Sequence, residues 1–155
     1  MLLPDFEFNY QDFENLFLSK RAFEQEKSFY IDISGKDNII KTDTYEEYLA
    51  IAQVKLASQF ETLKIEGVEK LCGFKDGTIH AFRYWKQSPS FGVHVDPVDV
   101  IIEVKQGSKV MEVEGDKFVI HKGCHLKIPA NTPHRALNEE EGLMFSYGLY
   151  DTEQH

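Results

Sequence analysis

Apolar and polar residues alternate in short runs along the second half of the chain, from Thr78 onward. The runs are rich in Val, Ile, Phe and Tyr, and short turns such as Glu114-Gly115-Asp116 separate them. Since successive side chains of a strand point to opposite faces, this pattern predicts strands with one buried face. The predicted strands are Thr78–Trp85, Gly92–Gln106, Lys109–Val113, Lys117–His121, His125–Pro129, His134–Leu137 and Leu143–Tyr150. Such a series predicts a double-sheet jelly roll.

The first half of the chain contains two predicted helices and a strand. One helix begins near Asp12 and is expected to lie on the barrel. Its residues at helical spacing are Phe13, Leu16 and Phe17. The other helix begins at a capping box formed by Thr44 and Glu47. Its apolar stripe consists of Tyr45, Tyr48, Leu49, Ala52 and Leu56. The strand covers Ser28–Ile33, and a turn at residues 35–38 leads into Ile39-Ile40.

Length and composition predict one domain. The chain has 155 residues, which is enough to build one full hydrophobic core. No Pro/Ser-rich linker, repeat or low-complexity tract divides the sequence. We therefore predict a single domain over residues 1–155, mainly β, with N-terminal helices packed on a jelly-roll barrel. Residues 1–75 form its mixed helical and strand part, and residues 76–150 form the barrel strands.

Charge and hydropathy bear on the partners. The formal net charge of −9 disfavours nucleic acid and anionic membrane surfaces, since both need clustered Lys and Arg. No apolar run approaches the roughly twenty residues that span a bilayer, and the N-terminal residues lack the order of a signal peptide. The two cysteines, Cys72 and Cys124, are too few for a disulfide framework. We expect a cytoplasmic protein.

Three residues are candidate metal ligands: His94 and Asp96, close together in one predicted strand, and His134 at the start of another. Two imidazoles and one carboxylate form the facial triad of non-haem Fe(II) oxygenases, which leaves open positions for substrate and dioxygen. The alternation places His94 and Asp96 on the apolar, inward face of their strand. The alternative is a pair of hydrogen-bonded core histidines beside a surface Asp.

The region around His134 resembles the second motif of the cupin superfamily. The motif residues are Gly123, Pro129, His134 and Asn138. Asn131 stands where the motif has a second Gly, and Asn is tolerated at positive φ, so the turn that presents the histidine is preserved. The resemblance implies a cupin barrel, a double-stranded β-helix. Because cupins often pair through their sheets, it also leaves a homodimer open, although no residue locates the interface.

The first cupin motif differs, and the difference points to a subset of the superfamily. Asp96 replaces the usual second His, and Val100 replaces the usual Glu. The nearest Glu, Glu103, is predicted on the opposite strand face. The stretch instead resembles the Jumonji C-type and related 2-oxoglutarate oxygenases, whose iron is held by His-x-Asp and one further His. Gly107 and Lys109 match the Gly and the co-substrate Lys of the protein-hydroxylase members.

This resemblance implies Fe(II) at the triad and 2-oxoglutarate as co-substrate. Lys109 would bind the distal carboxylate of the co-substrate, and an inward Lys in an apolar pocket does require an anionic partner. Tyr84 stands where related enzymes keep a Tyr that contacts the co-substrate. A small molecule or a peptide would be hydroxylated. Against this assignment, Phe91 occupies the place of a Thr that often binds the co-substrate carboxylate, with Ser90 as a neighbour.

Other readings remain open for the same residues. Lys109 could belong to a buried structural ion pair, and Tyr84 could be a core aromatic. The triad could bind Zn, Ni or Mn in a lyase, an isomerase or a 2-oxoglutarate-independent dioxygenase. A non-catalytic cupin that holds a small ligand or a partner peptide is also compatible with the fold. A zinc-like cluster of His121, Cys124 and His125 is disfavoured, since the Gly123 turn directs these side chains apart.

Overall fold

The computed structural model describes residues 2–150, so Met1 and residues 151–155 at the ends of the predicted domain lie outside the described residues. The helices are α1 Tyr10–Phe17, α2 Lys20–Glu24, α3 Tyr45–Ser58 and α4 Glu69–Cys72. The strands are β1 Ser28–Ile31, β2 Asp37–Ile39, β3 Thr62–Ile65, β4 Gly77–Tyr84, β5 Val100–Val113, β6 Asp116–His121, β7 His125–Ile128, β8 His134–Leu137 and β9 Gly142–Leu149. The predicted mainly β fold with N-terminal helices is confirmed.

Strand β5 joins two antiparallel sheets. Its first half pairs with β9 and β7, in a sheet whose order continues through β4, β3, β1 and β2. Its second half pairs with β6 and β8 in the other sheet. The strand is irregular between Val104 and Gln106, where a bulge shifts the register, and bulges bend a strand. The two sheets therefore enclose one interior.

The larger sheet buries apolar residues on both of its faces. On the outer face, β4 and β9 pack against the helices, through Phe13 and Phe17 of α1 and Tyr48 of α3. On the inner face, residues such as Phe82 and Met144 form a second core inside the barrel. Each large apolar side chain buried in this way contributes about 1.5–3 kcal/mol. The helices therefore stabilise the outside of the sheet and leave its inside for the barrel interior.

Both longer helices begin at side-chain caps, and α1 begins two residues before the predicted start near Asp12. At α1, Asn9 and Asp12 form a reciprocal capping box. At α3, the backbone N–H of Glu47 donates to Oγ1 of Thr44 over 3.2 Å, which is one half of the predicted box. Tyr48 then donates its hydroxyl to the carbonyl of Phe17 over 2.6 Å. This bond anchors α3 to α1 across the apolar layer.

Two strand predictions are wrong, and one strand was not predicted. The predicted strand Gly92–Gln106 begins only at Val100, because Pro97 has no N–H to donate to a neighbouring strand. Gly107 is no turn between strands: β5 continues through it at a φ of 74°. A Cβ there would collide with the carbonyl oxygen of Glu141, so a glycine allows the chain to pass. Strand β3 was missed between α3 and Gly67.

Candidate metal centre

The backbone brings His94 and His134 side by side. His94 lies in the loop before β5, and its N–H and carbonyl exchange hydrogen bonds of 3.0 and 2.9 Å with those of His134 at the start of β8. The carbonyl of Asp96 accepts from the N–H of Asn131 over 2.8 Å. Asn131 has a φ of 62°, the left-handed conformation expected for the residue that replaces the motif glycine. Two loops thus hold the three residues together.

The three side chains form a compact donor set. The ligand atoms of His94, Asp96 and His134 all lie within 4.8 Å of one another. Oδ2 of Asp96 lies 3.1 Å from Nε2 of His134 and 3.8 Å from Nε2 of His94. Metal–ligand bonds of about 2.1 Å place adjacent ligand atoms about 3 Å apart. The first distance already meets this requirement, and a small rotation of the half-exposed His94 ring would satisfy it for the second.

The backbone also orients both imidazoles. Nδ1 of His94 lies 2.7 Å from the carbonyl oxygen of Gly92, and Nδ1 of His134 lies 2.8 Å from that of Thr132. Since a carbonyl can only accept, each Nδ1 carries the proton and each Nε2 offers its lone pair. Ligand histidines in metalloproteins almost always make such a second hydrogen bond, which fixes the tautomer and the ring orientation. The residues therefore fit a divalent metal that accepts nitrogen and oxygen ligands.

The other candidate ligands do not join this group. Among the described residues, His94, Asp96 and His134 are the one cluster of His, Cys, Asp and Glu side chains that could hold a metal. His121, Cys124 and His125 are exposed and form no such cluster. Glu103 accepts the hydroxyl of Tyr147 over 2.6 Å, on the outer face of the sheet. It therefore does not point to the triad, in agreement with the predicted strand face.

Lys109 is buried without an acidic partner. The residue is 2% exposed, and its ammonium donates to Oδ1 of Asn138. Nζ lies 3.7 Å from the ring centroid of Tyr84. Within the described part of the chain, no carboxylate lies at salt-bridge distance from Lys109, so the structural ion pair considered above is not formed. Burial lowers the pKa of Lys109 to about 7.

The ring of Tyr84 packs against the ammonium of Lys109. Its hydroxyl donates to the carbonyl of Ser108 over 2.7 Å, and its side chain is fully buried. Burial raises the pKa of Tyr84, so the hydroxyl stays protonated and continues to donate. In this conformation the ring faces the Lys109 ammonium and the hydroxyl already has an acceptor. The co-substrate role of Tyr84 stays a prediction.

Asn138 has a role that the sequence reading missed. The motif alone assigns no contact to Asn138, whereas in the structure this residue is only 9% exposed. Besides accepting from Lys109, its amide donates to the carbonyl of Ser88 over 2.7 Å and to Oγ1 of Thr62 over 3.1 Å. The cupin motif itself contains this Asn, and that was the available signal. Its burial follows from the pairing of β8 with β5, in which Leu137 stands opposite Val110 and the next residue meets Lys109.

The pH dependence of stability tests the burial of Lys109. Its folded pKa of about 7 compares with about 10.4 for an unperturbed lysine. Between these values the unfolded chain binds more protons than the folded protein, so the free energy of unfolding rises with pH. Lys109→Met lacks this contribution. We expect the parent to gain stability relative to Lys109→Met between about pH 7 and pH 10, measured by urea unfolding. Parallel pH profiles of the two proteins would contradict the assignment.

One cavity connects the triad with Lys109. Its volume is about 580 Å³, which lies within the range of about 300–1,000 Å³ common for small-molecule sites. His94, Asp96, His134 and Lys109 all line it. Phe91 packs edge-on against the ring of His94, with centroids 6.0 Å apart. Ser90, the neighbour of Phe91, donates its hydroxyl to the carbonyl of Ala136 over 2.7 Å.

Solved structures share this architecture. A cupin superfamily protein from Desulfitobacterium hafniense aligns with a TM-score of 0.50 and 18% identity, over 58% of this chain and 78% of that chain. A cupin 2 conserved barrel domain protein from Leptotrichia buccalis aligns with a TM-score of 0.50 and 26% identity, over 57% of this chain and 41% of that chain. The protein therefore has a cupin-like fold.

Other comparisons add no finer assignment. The sequence matches no known family model and no curated protein. Among residues 2–150, no helix combines the length and the apolar character needed to cross a membrane. Fold and site together define a cupin-type barrel with a two-histidine, one-aspartate group that could hold a metal.

Proposed function

We propose that the protein is an Fe(II)- and 2-oxoglutarate-dependent oxygenase that hydroxylates a small molecule or peptide. The observation that carries this proposal is the pairing, in one cavity, of a facial donor triad with a buried lysine that has no carboxylate partner among residues 2–150. The triad would bind the metal, and the lysine would bind an anionic ligand beside it.

The buried ammonium supports an anionic ligand on energetic grounds. A charge removed from water is costly unless an opposite charge or hydrogen bonds compensate it. Asn138 supplies one neutral acceptor and the Tyr84 ring supplies its electron-rich face. A ligand carboxylate beside Nζ would supply the missing opposite charge. It would also raise the pKa of Lys109 again, so that the ammonium stays charged while the ligand is bound.

Each of these residues would have a separate role in the site. His94, Asp96 and His134 would hold Fe(II), and the bound metal would supply the chemistry of dioxygen activation. The Gly92 and Thr132 carbonyls keep each Nε2 directed at the metal position. Lys109 would bind and orient the distal carboxylate of 2-oxoglutarate. Phe91, packed against His94, would limit the access of water to the site.

An anaerobic titration tests the proposal. Fe(II) is added to the protein first and 2-oxoglutarate second, and the visible spectrum is followed. We expect a weak charge-transfer band that saturates with 2-oxoglutarate, because the band requires a keto acid chelated to the iron. The band should be absent with His134→Ala. Bound Fe(II) without a band would contradict the use of 2-oxoglutarate.

A second candidate is a metal-dependent cupin of other chemistry, and Phe91 is the observation that favours it. Phe91 cannot supply the hydroxyl of the Thr that many related oxygenases use to bind the co-substrate carboxylate. Such a protein would use Fe, Zn, Ni or Mn as a lyase, an isomerase or a 2-oxoglutarate-independent dioxygenase, or would hold a small ligand without catalysis. In each case the anion beside Lys109 would be the substrate or ligand itself. Metal binding would then persist without the 2-oxoglutarate band.

A further inference from the structure

A second polar region lines the cavity, on strands β4 and β9. It consists of Thr78, His80 and Ser146, and we refer to it as the His80 patch. His80 and Ser146 are register partners on the two adjacent strands, and Thr78 lies two residues before His80 on the same strand face. The patch was not singled out from the sequence, although the strand alternation of Thr78, His80 and Phe82 contained the signal.

The side chains of the His80 patch lack internal partners. Within the described residues, the structure gives no hydrogen bond to the hydroxyl of Thr78, the imidazole of His80 or the hydroxyl of Ser146. All three are partly exposed, and the cavity is the space that they share. Three polar side chains that face one cavity and make no hydrogen bond within the described residues are available to the polar atoms of a ligand.

The charges around the patch disfavour an anionic ligand group. Burial and the nearby Lys64 ammonium lower the pKa of His80, so its imidazole is neutral near pH 7 and offers one donor and one acceptor. Lys64 is itself paired with Asp37 and, over 3.1 Å, with Glu66. Glu69 is a further carboxylate near His80, so one ammonium and three carboxylates leave no surplus positive charge there. The cation available to an anion is Lys109, in another part of the cavity wall.

We infer that Thr78, His80 and Ser146 bind the hydroxyl groups of a small, neutral, hydroxylated substrate. The hydroxyl groups of such a substrate both donate and accept hydrogen bonds. The hydroxyls of Thr78 and Ser146 and the neutral imidazole of His80 do the same, so substrate and patch can pair in either direction. This inference rests on the proposed function in taking the cavity as the substrate site. It adds the class of substrate and three residues that would determine specificity. None of the three is proposed to contact the metal or the co-substrate.

The test measures ligand binding to the zinc-loaded protein, without dioxygen or 2-oxoglutarate. The probes are neutral polyols, namely D-xylose, D-glucose and methyl glucoside, with succinate and putrescine as charged comparators. Binding is followed by NMR of histidine-labelled protein, through the ring signal of His80. The variant His80→Phe identifies this signal, because the variant lacks it. We expect at least one polyol to shift this signal saturably. Ser146→Ala and Thr78→Val should each weaken that binding about three- to tenfold, the effect of one lost hydrogen bond.

Matched variants make the outcome decisive. His121→Phe changes an exposed histidine of β6 outside the cavity and should leave polyol affinity unchanged. Thr78→Val keeps the shape and β-branching of the side chain, so it tests the hydroxyl in a folded protein. The inference is overturned if no polyol binds, if the variants bind polyols as the parent does, or if a charged comparator shifts the His80 signal instead. If a polyol binds but the charge-transfer band with Fe(II) and 2-oxoglutarate does not appear, only the proposed oxygenase function is overturned.

Discussion

His134→Ala is expected to abolish stoichiometric metal binding. The side chain is 5% exposed, its Nε2 lies 3.1 Å from the Asp96 carboxylate, and no further His, Cys, Asp or Glu among the described residues joins the cluster. Loss of a group that merely supports a metal ligand already weakens affinity about 10- to 100-fold, and loss of the ligand itself should exceed about 100-fold. Equilibrium dialysis against Fe(II) or Zn(II), with metal analysis of the protein, measures the change.

The chain provides matched histidine controls for this experiment. His121 and His125 are exposed and stand apart from the triad. His121→Ala and His125→Ala should therefore bind one metal ion as the parent does. Circular dichroism of each variant shows that its fold is retained. Equal losses of metal in all three variants would defeat the assignment of the site to His94, Asp96 and His134.

Lys109→Met is expected to retain the metal and lose 2-oxoglutarate. Methionine fills a similar volume and tolerates the apolar surroundings, but it offers no charge to a carboxylate. Removal of one partner of a buried, hydrogen-bonded charge pair costs about 2–5 kcal/mol, and 2 kcal/mol corresponds to a factor of about 30. We therefore expect 2-oxoglutarate affinity to fall at least about 30-fold. Titration calorimetry on the anaerobic metal-loaded protein measures it.

A second buried lysine of the same cavity serves as the control. Lys64 is 4% exposed and lines the cavity, but it is paired with Asp37 and Glu66. Since those carboxylates already neutralise its charge, Lys64→Met should change 2-oxoglutarate affinity far less than Lys109→Met. Unchanged affinity in Lys109→Met would remove the proposed role of Lys109. Equal losses in both variants would indicate a general disturbance of the cavity.

The local features of the fold could be predicted because they depend on neighbouring residues. The cap at Thr44 and the apolar stripe of α3 follow helix geometry, so a few residues suffice to place them. Most strand boundaries agree with the alternation within one or two residues, as for β6 and β8. Strand β5 was divided wrongly at Gly107, because a glycine at positive φ occurs both in turns and in bent strands. Only its pairing with β6, β8 and β9 distinguishes the two.

The sequence by itself determined the three residues of the candidate metal centre and the inward position of Lys109. Motif spacing identified the ligands, although His94 and Asp96 lie in a loop and not in the predicted strand, and strand alternation identified the face of Lys109. Both signals depend on short segments of the chain. Only the tertiary structure decided that Asn138 receives the Lys109 ammonium and that His80 stands opposite Ser146. Both contacts join segments far apart in the chain. Their existence depends on the register in which whole strands pair, and that register is set by the packing of the complete barrel.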